Sequence, residues 1–278
     1  MYVLMKSFLH PLIKSSKRIM EHLTVSLAYT ISIYLLLFST LISCLELSQV
    51  PKLYLDFVFP DINITNKWAK WLVLNYGCAV LIILAALLFF NDARDYFKIV
   101  FLCITLIVFY QYTVRTAGKD GADQLRMISF LTFTLCFLIE KEKGELLSIC
   151  TVGFQVLVAY ATSGVAKVTS SHWRKGNLLA DIFGTCSYGT PNVSSFLRKR
   201  PILERYVSYL AIASMLSVPV CFLLPSQGLL IASLACIFGF HFSTALLMGL
   251  NDFLLTFPLT YPGVLYMHGL VHGYITTL

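Results

Sequence analysis

Charge is what this sequence has least of. Acidic and basic residues together make up 13% of its 278 residues, with 14 Asp and Glu against 21 Lys and Arg. A water-soluble domain carries about twice that share. A chain so poor in charge cannot shield its surface from water, which excludes a soluble globular reading. The net charge of +7 is small, and no basic stripe with interleaved aromatics marks a nucleic-acid face. Nucleic acid is therefore not an expected partner, whereas anionic lipid headgroups suit the excess. Paired cysteines are missing as well. The eight cysteines form no CxxC pair, and all but Cys186 fall inside apolar runs, so neither a disulfide framework nor a zinc site is expected. The sequence has no GxSxG, HExxH or GxxxxGK(S/T), and no GxGxxG after a strand, which excludes the hydrolase, zincin, P-loop and dinucleotide fingerprints.

What is abundant is apolar length. Hydrophobic residues make up 58% of the chain, and its mean hydropathy is +0.77. Seven runs approach the roughly 20 residues that cross a bilayer. They are Leu23 to Leu45, Trp68 to Phe90, Tyr96 to Val114, Leu125 to Ile139, Leu146 to Val168, Tyr206 to Leu224 and Leu229 to Leu250. An eighth, Leu254 to Leu270, is interrupted by Pro258 and Pro262. The fold class expected is all-α, a polytopic transmembrane helical bundle of about seven or eight spans. It reads as one integral membrane domain over residues 1–278. Residues 1–21 form an amphipathic surface lead-in, with no cleavable signal peptide, and residues 23–270 form the bundle.

Orientation is pulled two ways. Lys6, Lys14, Lys17 and Arg18 argue for a cytoplasmic start. Lys175, Arg198, Lys199, Arg200 and Arg205, in the long connection after the fifth run, argue that this connection is cytoplasmic too, which seven alternating spans do not allow. On either choice, the connection after the third run, the connection after the fifth and the end of the seventh share one membrane face.

Three polar clusters converge on that face. The first is Lys119-Asp120-Gly121-Ala122-Asp123-Gln124, flanked by Arg115 and Arg126. Asp120 or Asp123 can cap the fourth helix, and Asp123 and Arg126 share a helical face. The second is Tyr160 to Lys167 with Trp173 following. Tyr160, Ser163, Gly164 and Lys167 lie on one stripe, and a small residue at Gly164 admits a helix or a ligand. Lys167 either snorkels to the headgroups, with Trp173 as interface anchor, or is partly withdrawn from water and acts as a base. The third is His241, in mid-span, with Thr244 and Asp252 along its face. Such a histidine marks either an interhelical hydrogen bond or a functional site. His268 and His272 are spaced for a metal pair but lack a third ligand, and read as an interfacial pair. Sequons at Asn63 and Asn192 are weak signals.

In order and spacing, Asp120-Gly121-Ala122-Asp123-Gln124, Ser163-Gly164-Val165-Ala166-Lys167 with Trp173 and Gly176, Gly184 to Pro191, Phe240-His241-Phe242, Gly249 to Phe253 and Tyr261-Pro262 resemble the HTTM superfamily. This is the membrane domain shared with vitamin K-dependent gamma-carboxylase, and the closest likeness is to the sporulation-delaying protein B family. The resemblance covers roughly Trp68 to Tyr266. It implies a bacterial inner-membrane, multi-pass protein with an extracytoplasmic active face. It implies Lys167 as the base, His241 and Asp123 as polar neighbours, and Tyr160, Gly164, Asp120, Trp173 and Asp252 around a vitamin K-like quinone. It departs from the carboxylase pattern at Ala166-Lys167, where the carboxylase has a lysine pair, at Asp123, and in having no large soluble portion. The implied role is therefore that of the compact branch, maturation or modification of a secreted peptide with a small partner protein. The alternative is a non-catalytic scaffold or immunity protein that binds a peptide.

Overall fold

A computed structural model describes residues 24–49, 67–115, 119–185 and 189–274, with the side chains of 67–70 set aside. The expected lead-in Met1–Glu21, the sequon at Asn63 and Cys186 lie outside the described residues. Every regular element among the described residues is helical. Six helices are long and apolar enough to cross a membrane: α1 (Val25–Ser48), α2 (Lys67–Phe90), α3 (Arg94–Val114), α5 (Lys141–Thr169), α9 (Pro201–Leu223) and α10 (Gln227–Met248). This is the pattern of a multi-pass membrane protein. Between and after them come α4 (Gly121–Cys136), α6 (Ser171–Lys175), α7 (Leu179–Phe183), α8 (Pro191–Arg198), α11 (Asn251–Thr256), a 3-10 turn (Phe257–Thr260) and α12 (Tyr261–Val271).

Two of the expected runs differ from the rest. The fourth becomes α4, only 16 residues long. The eighth is broken into α11, the 3-10 turn and α12, because each proline removes a backbone donor and crowds the preceding turn. The other helices start one to five residues before their apolar runs, except α1, which begins at Val25 and overruns its run at the C-terminal end. Pro201 occupies the first turn of α9, where its missing N–H costs nothing.

The chain packs as two compact units whose boundary falls inside α5, at Val152–Gly153. The first comprises Val25–Val152 with Leu255–Leu259. Here α1 packs on α2, α2 on α3, α3 on α4, and α4 back on α1. Its polarity is inverted relative to a soluble bundle. On α2, Val73 is 73% exposed while Asn75 is fully buried, an arrangement that suits lipid outside and hydrogen bonds inside. Gln111 donates to the Asn75 side-chain oxygen at 3.1 Å, and Asn75 donates to the Trp71 carbonyl at 2.8 Å. Thr105 and Thr134 share a hydrogen bond at 2.8 Å between α3 and α4. Aromatic packing fills the remainder, with the Phe101 and Phe130 ring centroids 5.0 Å apart. The turn between α2 and α3 places Asp92 at φ 55°. Arg94 donates to its carboxylate at 2.6 Å, and this guanidinium holds the Asp92 carboxyl below the ordinary aspartate range.

The second unit comprises Gly153–Leu254 and the chain from Thr260 onward. Its α9 packs on α10, and both pack on α12. At Gly153 the backbones of α5 and α12 meet: a Cβ there would lie 2.7 Å from the Gly263 carbonyl carbon. The connection that sequence shows only as polar is a small folded cap. Ala180, Phe183 and Leu197 form its core. The buried Glu204 carboxylate accepts from the Ala180 amide at 2.8 Å, and Ser194 donates to the Ala180 carbonyl at 2.7 Å.

Candidate functional site

Polar chemistry is concentrated at one centre in each unit. In the first, Asp120 is the N-cap of α4 and accepts from the amides of Ala122 at 2.8 Å and Asp123 at 3.0 Å. Asp123 reaches back to the Asp120 amide at 3.4 Å, completing a capping box. The same carboxylate lies between two guanidiniums. Arg115 donates to it at 3.0 and 3.3 Å, and Arg126 at 3.2 Å. Arg126 also donates to Ser43 at 2.9 Å and to Thr256 at 3.3 Å, so it fastens α1, α4 and the last residue of α11 together. All three charged residues are buried. Beside them is a cavity of about 10 Å3, lined in part by Thr40, Ser43 and Gln111, with room for about one water molecule.

The expected cap is thus present at Asp120, and Asp123 both closes the capping box and pairs with the guanidiniums. Ser43 and Thr256 were not foreseeable as partners. They lie 83 and 130 residues from Arg126, and only the small-polar character of the α1 stripe hinted that its face is an interface.

In the second unit, the fully packed His241 meets Tyr160 across α5 and α10, with the hydroxyl and Nε2 3.0 Å apart. The imidazole stacks on Tyr160 (centroids 5.9 Å, 28°) and on Phe253 of α11 (5.7 Å, 30°). Gly164 is buried because another helix takes the space: a Cβ there would collide with the Leu216 side chain of α9. At the end of the stripe, Lys167 Nζ donates to Ser163 Oγ at 2.9 Å and lies over the Trp173 ring at 5.2 Å. Ser163 in turn donates to Met215 Sδ at 3.4 Å. Lys167 is half-buried and turned back along its own helix, the direction the Cα–Cβ bond of a helical residue favours. Tyr160 and Lys167 are two turns apart, about 10 Å along the axis. Asp252 is half-buried at the first turn of α11.

Asp120 and Asp123 therefore belong to the first unit, and Tyr160, Gly164, Lys167, Trp173, His241 and Asp252 to the second. The structure brings together Tyr160 with His241, and Lys167 with Trp173. The histidine pair of α12 is explained by carbonyls. His268 Nε2 lies 2.9 Å from the Leu224 oxygen and His272 Nε2 lies 3.1 Å from the Phe222 oxygen, both at the end of α9. Since a carbonyl only accepts, each ring carries its proton on Nε2. Among the described residues, no group of three or more His, Cys, Asp or Glu could hold a metal ion.

A quinone needs a flat apolar face and a polar group at its edge. The inner stripe offers neither opening, with Leu216 against Gly164 and Phe253 against His241. The outer end offers both, in the Trp173 ring and the Lys167 amine. Searches against family models, curated proteins and solved structures return no match to this chain.

Proposed function

We propose that this chain is a bacterial inner-membrane protein of the HTTM type that assists maturation or modification of a secreted peptide, with a small partner protein and Lys167 as its base. The observation that supports it is the attitude of the Lys167 amine. A lysine that merely snorkels extends into the headgroups. This one is turned onto Ser163 and the Trp173 face and half withdrawn from water, a setting in which an amine can accept a proton. Ser163 fixes its position, and Trp173 offers a planar face to a ligand. A vitamin K-like quinone, when bound, would supply redox chemistry there. His241 and Tyr160 form a neutral support two turns deeper.

Two further observations support seven crossings and an interrupted eighth. Short as it is, α4 runs antiparallel to α3 over nearly the whole depth of that helix. Arg115 pairs with Asp123 at one end, Thr105 with Thr134 midway, and Phe97 meets Phe137 edge to face at the other end. In the second unit, the chain leaves α10 at Gly249, stacks Phe253 on His241, and reaches the opposite end of α10 where His268 meets the Leu224 carbonyl. With a cytoplasmic start, this count puts the Lys167 end of α5 outside.

The test is Lys167→Ala and Lys167→Arg in cells that make the peptide, scoring mature peptide in the medium and membrane insertion of the variant. The base reading expects maturation lost in both with insertion intact. Maturation retained in Lys167→Ala overturns it. One observation favours the scaffold or immunity reading instead: Asp123 and His241 are both engaged by the chain's own side chains. On that reading Lys167→Arg is tolerated, and a bulky residue at Gly164 is not.

A further inference from the structure

We propose that the rim formed by α8 and the first turns of α9 is a docking surface for anionic phospholipid headgroups. The argument starts from how this rim sorts its charges. Of the two acids in and beside the rim, Glu204 is turned inward, buried on the Ala180 amide, and Asp181 belongs to the neighbouring α7. Asp181 is held by Arg198 at 2.8 Å. Lys199, Arg200 and Arg205 all face outward and exposed. The outward face of the rim is therefore cationic by construction.

The apolar residues of the rim are sorted as well. Leu197 and Ser194 pack into the cap and leave Phe196 exposed on the opposite side of α8. At the start of α9, Ile202 is 73% and Tyr206 69% exposed. Lys199, Arg200, Ile202 and Tyr206 line one shallow groove. The Arg200 guanidinium lies 3.9 Å from the centroid of the Phe196 ring, so its planar charge is held in place by an aromatic face. Cations at one end and aliphatic and aromatic side chains at the other match a lipid that presents phosphate first and acyl chain behind it. A soluble acidic peptide would satisfy the cations but leave Ile202 and Tyr206 against water.

The full-length chain, purified in detergent, is to be exposed to dioleoylphosphatidylglycerol or dioleoylphosphatidylcholine, and the retained lipid counted by native mass spectrometry. The wild type is expected to retain phosphatidylglycerol preferentially, with a preference that falls as salt rises. Lys199→Gln and Arg200→Gln each lower it about fivefold, while Lys199→Arg keeps it. Equal retention of the two lipids by the wild type overturns the proposal. So does an unchanged preference in the double variant with wild-type helix content, or displacement of phosphatidylglycerol by polyglutamate. Should the double variant lose helix content, the wild type decides: a preference indifferent to high salt overturns the proposal.

Discussion

The two units handle polar groups inside an apolar bundle in opposite ways. The first buries full charges and surrounds them with partners: Asp123 lies between Arg115 and Arg126, and Arg126 goes on to Ser43 and Thr256. The second pairs groups that can stay neutral, Tyr160 against His241, leaves the Lys167 ammonium half-buried at the helix end, and keeps its one buried carboxylate, Glu204, in the cap on the Ala180 amide. A buried ion pair is costly to assemble and still costlier to break, because the survivor is left charged and alone. A neutral hydrogen bond in a membrane contributes far less, since the separated groups find other partners. The first centre is thus suited to fixing helices, and the second to letting one group change its proton without dismantling the fold.

Five tests break or sharpen this contrast. Asp123→Leu removes the carboxylate from between two buried guanidiniums and should destabilise the chain by about 3–5 kcal/mol, read as a lowered thermal midpoint in detergent or failure to insert. Next comes Gly153→Leu, which drives a side chain into the Gly263 backbone and should cost about 1–3 kcal/mol by overpacking. Gly164→Ala should cost less, because it meets only the movable end of Leu216; the same melts compare the two. A double-mutant cycle of Tyr160→Phe with His241→Leu should return a coupling of about 0.6 kcal/mol. A coupling as large as that of the ion pair would erase the distinction between the units. Lys167→Met should change stability by less than about 1 kcal/mol, the worth of its contact with Trp173, and a larger loss would make it a structural lysine.

The apolar runs made the long helices legible, since in lipid a helix must be apolar around most of its circumference. The start of α4 was legible too, because Asp120 and Asp123 carry the spacing of a capping box. The runs misplace helix ends, however: Lys141 to Glu145 and Pro201 to Arg205 lie outside the runs yet are helical, and hydropathy reads the solvent rather than the backbone. The cap built from α6, α7 and α8 was invisible, as its core of Ala180, Phe183 and Leu197 is too sparse to make a run. The direction of the Lys167 amine was equally hidden, because both attitudes of the side chain fit the same spacing. The role of His268 and His272 depended on carbonyls some 44 and 50 residues earlier, and no local pattern reports such a partner.

The end of α9 carries a consequence for how the chain is made. The carbonyls that close it, at Phe222, Leu224 and Pro225, take their donors from His272, His268 and Tyr274 respectively. A nascent chain that has just delivered α9 to the bilayer therefore holds a helix whose exit is unsealed until roughly fifty more residues arrive. Deleting the segment after Met267 would leave the seven uninterrupted apolar runs intact and still strip the end of α9 of these donors.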